Sequence, residues 1–285
     1  MNTPFTWEVR GGRSIGPSPF CIFGIVNITP DSFHDGGQYN TVDSAVAHAQ
    51  QQVAAGAHVL DVGGESSRPF ADPVSLEDEI HRVLPVVERL VGECSSESLP
   101  WAVSVDTYKA GTAKAVLEAG AHIINDISAF AFEPELKDVV AHYKPGYVLM
   151  HSKGKPDKMQ VAPSYDNVVD DIIAFLEAKL KELTIAGLPE SRIMIDPGVG
   201  FGKTVEHNLT ILRNIDRFRQ LGFPVMAGVS NKSMFEKVCG AKGGERENAT
   251  QATTAILAHQ GVEVHRVHDV ARTRETLLIA EALRN

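Results

Sequence analysis

Cysteine is scarce in this 285-residue sequence, with only three: Cys21, Cys94 and Cys239. They are far apart, odd in number and form no Cys-x-x-Cys pair. A disulfide framework is not expected, and free thiols in a reducing compartment are. Positive charge is in deficit. Lys and Arg number 27 against 36 Asp and Glu, a net charge of −9, and no Lys/Arg-rich run stands out. That balance argues against a nucleic-acid-binding stripe but says nothing about one basic cleft. No apolar run reaches the roughly 18 residues of a membrane span. The opening segment carries Glu8, Arg10 and Arg13 and lacks an apolar h-region, so no signal peptide is expected and the cytoplasm is the default location. No proline- or serine-rich linker divides the chain, and one domain over 1–285 is expected. The histidines number 11, yet none shows zinc spacing. What remains is 43% hydrophobic and 22% charged, an ordinary globular composition.

Along the chain, short apolar, β-branched runs alternate with longer helical stretches. Phe5 to Ile15, broken by Gly11-Gly12, predicts an N-terminal hairpin over about residues 5–16. Eight strand-like runs follow: Cys21 to Asn27, His58 to Gly63, Trp101 to Asp106, His122 to Ile127, Tyr147 to His151, Arg192 to Asp196, Pro224 to Ser230 and Val264 to His268. Helix-length segments lie between them, among them Val42 to Ala55, Leu76 to Val91, Lys109 to Ala119, Asn167 to Ala186 and Val270 to Leu283. The motif Ala-Gly-Ala-His occurs at Ala55 to His58 and again at Ala119 to His122, placing Gly56 and Gly120 as helix C-caps. Gly240 to Asn248 reads as a surface loop. Strand–helix alternation repeated this often predicts a parallel sheet with right-handed crossovers, most naturally closed as an α/β (β/α)8 barrel, a TIM barrel. An open doubly wound sheet is the alternative.

A barrel places its site residues just past the C-terminal ends of its strands. Here almost every run ends in polar chemistry: Asn27 and Asp31; Glu65, Ser67 and Arg68; Asp106; Asn125-Asp126; His151; Asp196; Ser230, Asn231 and Lys232; Arg266, His268 and Asp269. Asp106, Asn125 and Asp196 suit a heterocycle rich in N–H donors. Arg68, Arg266, His268 and Lys232 suit an anion, most plausibly a phosphate. Alternation puts Arg266 and His268 on one face and His265 on the other. Gly198 to Thr204 imitates a phosphate-binding P-loop, but one residue is missing between Gly198 and Gly202, and position 197 is proline.

Two motifs resemble the signatures of the dihydropteroate synthase family: Gly24-Ile25-Val26-Asn27-Ile28-Thr29-Pro30-Asp31-Ser32-Phe33 with Asp35-Gly36-Gly37, and Asp61-Val62-Gly63-Gly64-Glu65-Ser66-Ser67-Arg68-Pro69. The likeness continues through Ser104 to Thr107, Ile124 to Asp126, Met150-His151, Asp196 to Thr204, Ser230 to Ser233 and Arg266 to Asp269. The resemblance implies a TIM barrel. It also implies an enzyme joining 6-hydroxymethyl-7,8-dihydropterin pyrophosphate to p-aminobenzoate, with Mg²⁺ as cofactor, and a homodimer. On matching positions, Asp106, Asn125, Asp196 and Lys232 would hold the pterin, and Met150, Phe201 and Gly228 would pack on its ring. Asn27 would bind Mg²⁺ with the pyrophosphate, and Arg68, Arg266 and His268 would take phosphate oxygens. Ser67, Pro69, Phe70, Lys232 and Ser233 would border p-aminobenzoate. Catalysis would fall to Asp31, Ser67, Arg68, Asp106, Lys232, Arg266 and His268, with the loops holding Asp31 and Ser67 closing over the reactants. The chain departs from the family pattern at Asn231 (usually Arg), Ser67 (Thr), Phe70 (Gly) and Ser152-Lys153 (Met-Arg). The alternatives are a pterin-binding methyltransferase and a non-catalytic pterin-binding barrel.

Overall fold

The structure is a computed structural model in which residues 4–28, 38–94 and 101–284 are described. Asp31 and the rest of its expected closing loop lie outside the described residues. An antiparallel hairpin, β1 (Phe5–Glu8) and β2 (Ser14–Ser18), precedes the sheet. Gly11 and Gly12 sit in a 3-10 turn with positive φ rather than in a two-residue turn, so the second strand extends to Ser18, beyond the expected end near 16.

Eight parallel strands follow: β3 (Cys21–Asn27), β4 (Val59–Gly63), β5 (Ala102–Asp106), β6 (Ile123–Asp126), β7 (Gly146–Met150), β8 (Ile193–Asp196), β9 (Met226–Ala227) and β10 (Val264–Val267). Their order is β8-β7-β6-β5-β4-β3-β10-β9. The ring is all but closed by one bridge, Ile195 with Val225, beside a hydrogen bond from Ile195 N to the Pro224 carbonyl at 2.9 Å. The seventh expected run is the one that shrinks: of Pro224 to Ser230, only two residues form a strand.

The outer layer comprises α1 (Gln38–Ala55), α2 (Leu76–Cys94), α3 (Ala110–Glu118), α4 (Leu136–Tyr143), α5 (Val168–Ala186), α6 (Val205–Arg213), α7 (Ile215–Arg219), α8 (Met234–Cys239), α9 (Arg246–His259) and α10 (Val270–Ala282). Arg246 to Asn248, expected in a loop, open α9. In α2 the buried side chains Val83, Val86, Val87, Leu90 and Cys94 repeat at helical spacing and face the sheet. Gly56 and Gly120 follow α1 and α3 with φ of 106° and 100°, the left-handed backbone a helix end favours. The repeated histidine has a job of its own. His58 Nδ1 accepts the Ile22 amide and His122 Nδ1 accepts the Val103 amide, each at 3.1 Å, so each ring ties its strand's start to the neighbouring strand. Burial lowers both histidines' pKa values, that of His122 to about 4, which keeps the rings neutral acceptors.

The barrel interior is layered. At its N-terminal end Phe23, Val59, Ala102, Ile123, Val148, Met194, Met226 and Val264 form one apolar cluster with Phe5, Trp7, Val9 and Ile15 of the hairpin segment. The hairpin thus stoppers that mouth, with Trp7 only 1% exposed. Side chains two apart on a strand share a face. One step up from this layer therefore stand Ile25, Asp61, Ser104, Asn125, Met150, Asp196, Gly228 and Arg266. The change from hydrocarbon to polar chemistry within a single pleat positions the site.

Candidate active site

The polar layer is held by charge pairing across the barrel. Asp61 is fully buried and accepts three hydrogen bonds: from Ser104 Oγ at 2.6 Å, Asn125 Nδ2 at 3.0 Å and Arg266 Nε at 2.6 Å. Arg266 Nη2 reaches Asp106 at 2.6 Å. Nη1 is the guanidinium nitrogen that neither carboxylate engages. Burial alone would lower the Arg266 pKa, but Asp61 and Asp106 outweigh it and raise it. Asp61 was not singled out from sequence, although a lone carboxylate inside the apolar run Val59–Gly63 was a usable signal.

Next to this network the groups expected to meet a heterocycle converge. Burial pushes the Asp106 carboxyl up to about 7, against the pull of Arg266 and with a further push from Asp61. Asp196 rises to about 6 by burial, opposed by its hydrogen bond from the Gly198 amide and by Lys232, Lys203 and Arg266. Asn125 Oδ1 is buried and has no partner. It is a free acceptor where protein acceptors are normally satisfied. Lys232 lies over the Phe201 ring, Nζ to centroid 4.2 Å, and is lowered to about 8 by burial and Arg266 against Asp196 and Asp106. Met150 and Phe201 are buried in one cluster with Tyr108, Ile127 and Met159.

At the anion end Arg266 and His268 are near enough for the guanidinium to lower the imidazole pKa, while His265 is fully buried with Nε2 against the Val262 carbonyl. Ser230 Oγ accepts the His268 amide at 3.3 Å and stands 2.9 Å from the ring Nδ1, a contact that orients the imidazole and leaves Nε2 to the mouth. Burial, then Arg266, Lys232 and Arg68, lower His268 to about 4. A bound anion would pull that value back up, and in either state the ring presents an N–H to it. Arg68 is exposed and Ser67 half-buried on the β4–α2 loop. That loop is anchored by Glu65, which accepts from Tyr108 OH at 2.9 Å and pairs with Lys109; Lys109 in turn pairs with buried Glu79 at 2.9 Å.

Phe70 follows Arg68-Pro69 with φ 64° and is 67% exposed, its amide donating to the Pro156 carbonyl at 3.0 Å. Asn231 has φ 57°, a backbone state asparagine accepts more readily than arginine, and its carbonyl accepts from Arg246 Nη1. Ser233 is exposed at the start of α8. Asn27 ends β3 with its Oδ1 close enough to Gly63 that a Cβ there would lie 3.6 Å away. Among the described residues no three His, Cys, Asp or Glu side chains gather to cage a metal.

Residues 23–268 match the family model for pterin binding enzymes. The dihydropteroate synthase of Streptococcus pyogenes serotype M6 is 40% identical over 274 residues, 95% of this chain and 98% of that protein. A crystal form of Xanthomonas albilineans dihydropteroate synthase with 4-aminobenzoic acid superposes with a TM-score of 0.90 at 38% identity, covering 99% of each chain. The same enzyme in complex with 7,8-dihydropteroate gives 0.85 at 37% identity, covering 97% of this chain and 99% of that one. Barrel, layered mouth and relatives agree: the chain belongs to the dihydropteroate synthase family of pterin-binding enzymes.

Proposed function

We propose that the chain joins 6-hydroxymethyl-7,8-dihydropterin pyrophosphate to p-aminobenzoate, releasing pyrophosphate and forming 7,8-dihydropteroate. The observation that carries the reading is the excess of acceptors at the mouth. Asp106, Asp196 and the unpartnered Asn125 Oδ1 converge where a pterin can offer its ring and amino N–H groups. Met150 and Phe201 supply the apolar surface for its face.

In this reading the C–O bond to pyrophosphate breaks as the aromatic amine forms the new C–N bond at the methylene carbon. Negative charge grows on the leaving oxygen, and Arg68, the free Nη1 of Arg266 and His268 meet it. Positive charge grows on the methylene and spreads into the pterin, beside Asp106 and Asp196. The amine of p-aminobenzoate is neutral at pH 7 and needs no strong base, which suits a site without a nucleophilic serine or cysteine. Ser67, Pro69, Phe70, Lys232 and Ser233 border it in this reading. Asn27 fits Mg²⁺, which takes few protein oxygens and fills its shell with substrate phosphates and water. It would hold the ion against the pyrophosphate, where the metal neutralises leaving-group charge.

The test supplies dihydropterin pyrophosphate, p-aminobenzoate and Mg²⁺ to the purified chain and follows both products. Equal amounts of pyrophosphate and dihydropteroate support the reading. Pterin binding with neither product overturns it in favour of a non-catalytic or methyl-transferring barrel.

The family resemblance also motivates a homodimer, and exposed Ile256 on α9 with Ile279 and Leu283 at α10 offer it an apolar face. Sedimentation at micromolar concentration checks this, a monomer being the contrary result. Cys21, Cys94 and Cys239 are free thiols, which supports a cytoplasmic setting. No helix among the described residues is long and apolar enough to cross a membrane.

A further inference from the structure

The lysine of the P-loop imitation, Lys203, is left without a role by the reaction above, and it is unavailable to any phosphate. It is 3% exposed. Its Nζ lies 2.9 Å from His151 Nδ1, 2.9 Å from the Phe201 carbonyl and 3.4 Å from the His151 carbonyl. These three contacts occupy the amine, and burial lowers its pKa well below the ordinary lysine value, against the pull of Asp196. Burial, with Lys203 beside it, holds the His151 pKa down to about 2, so the ring at this contact is neutral.

The contacts join two strand ends. The His151 carbonyl closes β7, and the segment from Gly198 to Lys203 leaves β8. The fit is tight, since a Cβ at Gly198 (φ 71°) would fall 1.9 Å from the His151 carbonyl oxygen. The loop is held from its other side by Gln160 on the Gly200 carbonyl and Tyr165 OH on the Gly202 carbonyl. It follows directly on Asp196, the last residue of β8, and carries Phe201.

We propose that Lys203 is a positioning residue for the pterin pocket: its side chain clamps the β8 loop to the end of β7, which sets Asp196 and Phe201. The inference rests on the pterin reading above. The clamp closes on a buried, neutral His151, and Asp196, Lys232 and Lys153 are the charged groups that act on Lys203.

The experiment compares the wild-type chain with Lys203→Met, which removes every N–H of the clamp, and Lys203→Gln, which restores two. Binding of 6-hydroxymethyl-7,8-dihydropterin is measured by calorimetry, with thermal unfolding as the fold control. Affinity should fall about tenfold in Lys203→Met and be partly restored in Lys203→Gln. A folded Lys203→Met chain that binds as tightly as the wild type, or no more weakly than Lys203→Gln, overturns the clamp. If neither variant folds, Lys203 serves the fold and the proposal falls. A wild-type chain that binds no pterin instead refutes the reading it rests on.

Discussion

Replacing Phe70 separates backbone strain from side-chain function at one position. Phe70 holds φ 64°, a left-handed state that costs an L-residue roughly 1–2 kcal/mol. Its side chain is 67% exposed, so removing it forfeits about a third of the roughly 1.5–3 kcal/mol that a fully buried aromatic contributes. That loss is common to Phe70→Gly and Phe70→Ala, and comparing the two cancels it. Alanine keeps the strain. Glycine sheds it but gives up about 0.5–1 kcal/mol more chain entropy on folding. The glycine variant should therefore be the more stable by about 0.5–1 kcal/mol, reversing the usual order of the two residues. Urea unfolding followed by fluorescence reads this as a higher midpoint at unchanged slope. Alanine equal to or above glycine would refute the strain argument. A chain that carries this strain to place an exposed ring beside Ser67 and Arg68 should also use the ring. Both variants should raise the KM for p-aminobenzoate while leaving that for the pterin pyrophosphate alone, and unchanged p-aminobenzoate kinetics would remove Phe70 from the site.

Three further outcomes follow from the same geometry. Asp61→Ala leaves Arg266 with Asp106 alone, and stability should fall by about 3 kcal/mol, the low end for breaking a buried pair, as read by urea unfolding; a loss below about 1 kcal/mol would mean that Asp106 compensates fully. The pH profile of kcat/KM for the pterin substrate should be bell-shaped. Its acid side should lie between about 6 and 7, where Asp196 and Asp106 must be ionised, and its alkaline side near about 8, where Lys232 must be charged. A flat profile across that window would contradict these assignments. Both aspartates have raised pKa values when folded, so their contribution to stability is complete below the ordinary value of 3.8 and is lost as pH rises through about 6 to 7, while activity climbs. Trp7→Ala should cost about 3–5 kcal/mol in unfolding experiments yet spare kcat in the molecules that remain folded, since the stopper is at the opposite end from the site.

Much of this was legible in the chain before any coordinates. The eight strand runs and their polar C-terminal ends were readable because a parallel sheet covered on both faces needs continuous apolar segments, and a barrel directs their ends to one mouth. Pro224 to Ser230 misled because it is apolar enough for a strand, yet only Met226 and Ala227 form its ladder. Asp61 was passed over because its meaning depends on Arg266, 205 residues away. No local pattern reports such a partner. The lowered pKa of His268 has the same origin: burial, then Arg266, Lys232 and Arg68, which converge on it only in the fold. Spacing alone set the P-loop imitation apart from a true P-loop, but the pairing of Lys203 with His151 required the fold.

The ring has one weak joint. Everywhere else neighbouring strands share a ladder of at least two paired residues, whereas β8 and β9 meet through Ile195 alone. Asp196 stands at one side of that joint and Lys232 just beyond the other. Local opening there changes the gap between carboxylate and amine without touching the Asp61–Arg266–Asp106 girder across the barrel. A ligand that engages both residues works as a clasp. Amide exchange at Ile195 and Ala227, the quickest of the barrel strands in the free protein, should then slow most when the mouth is filled.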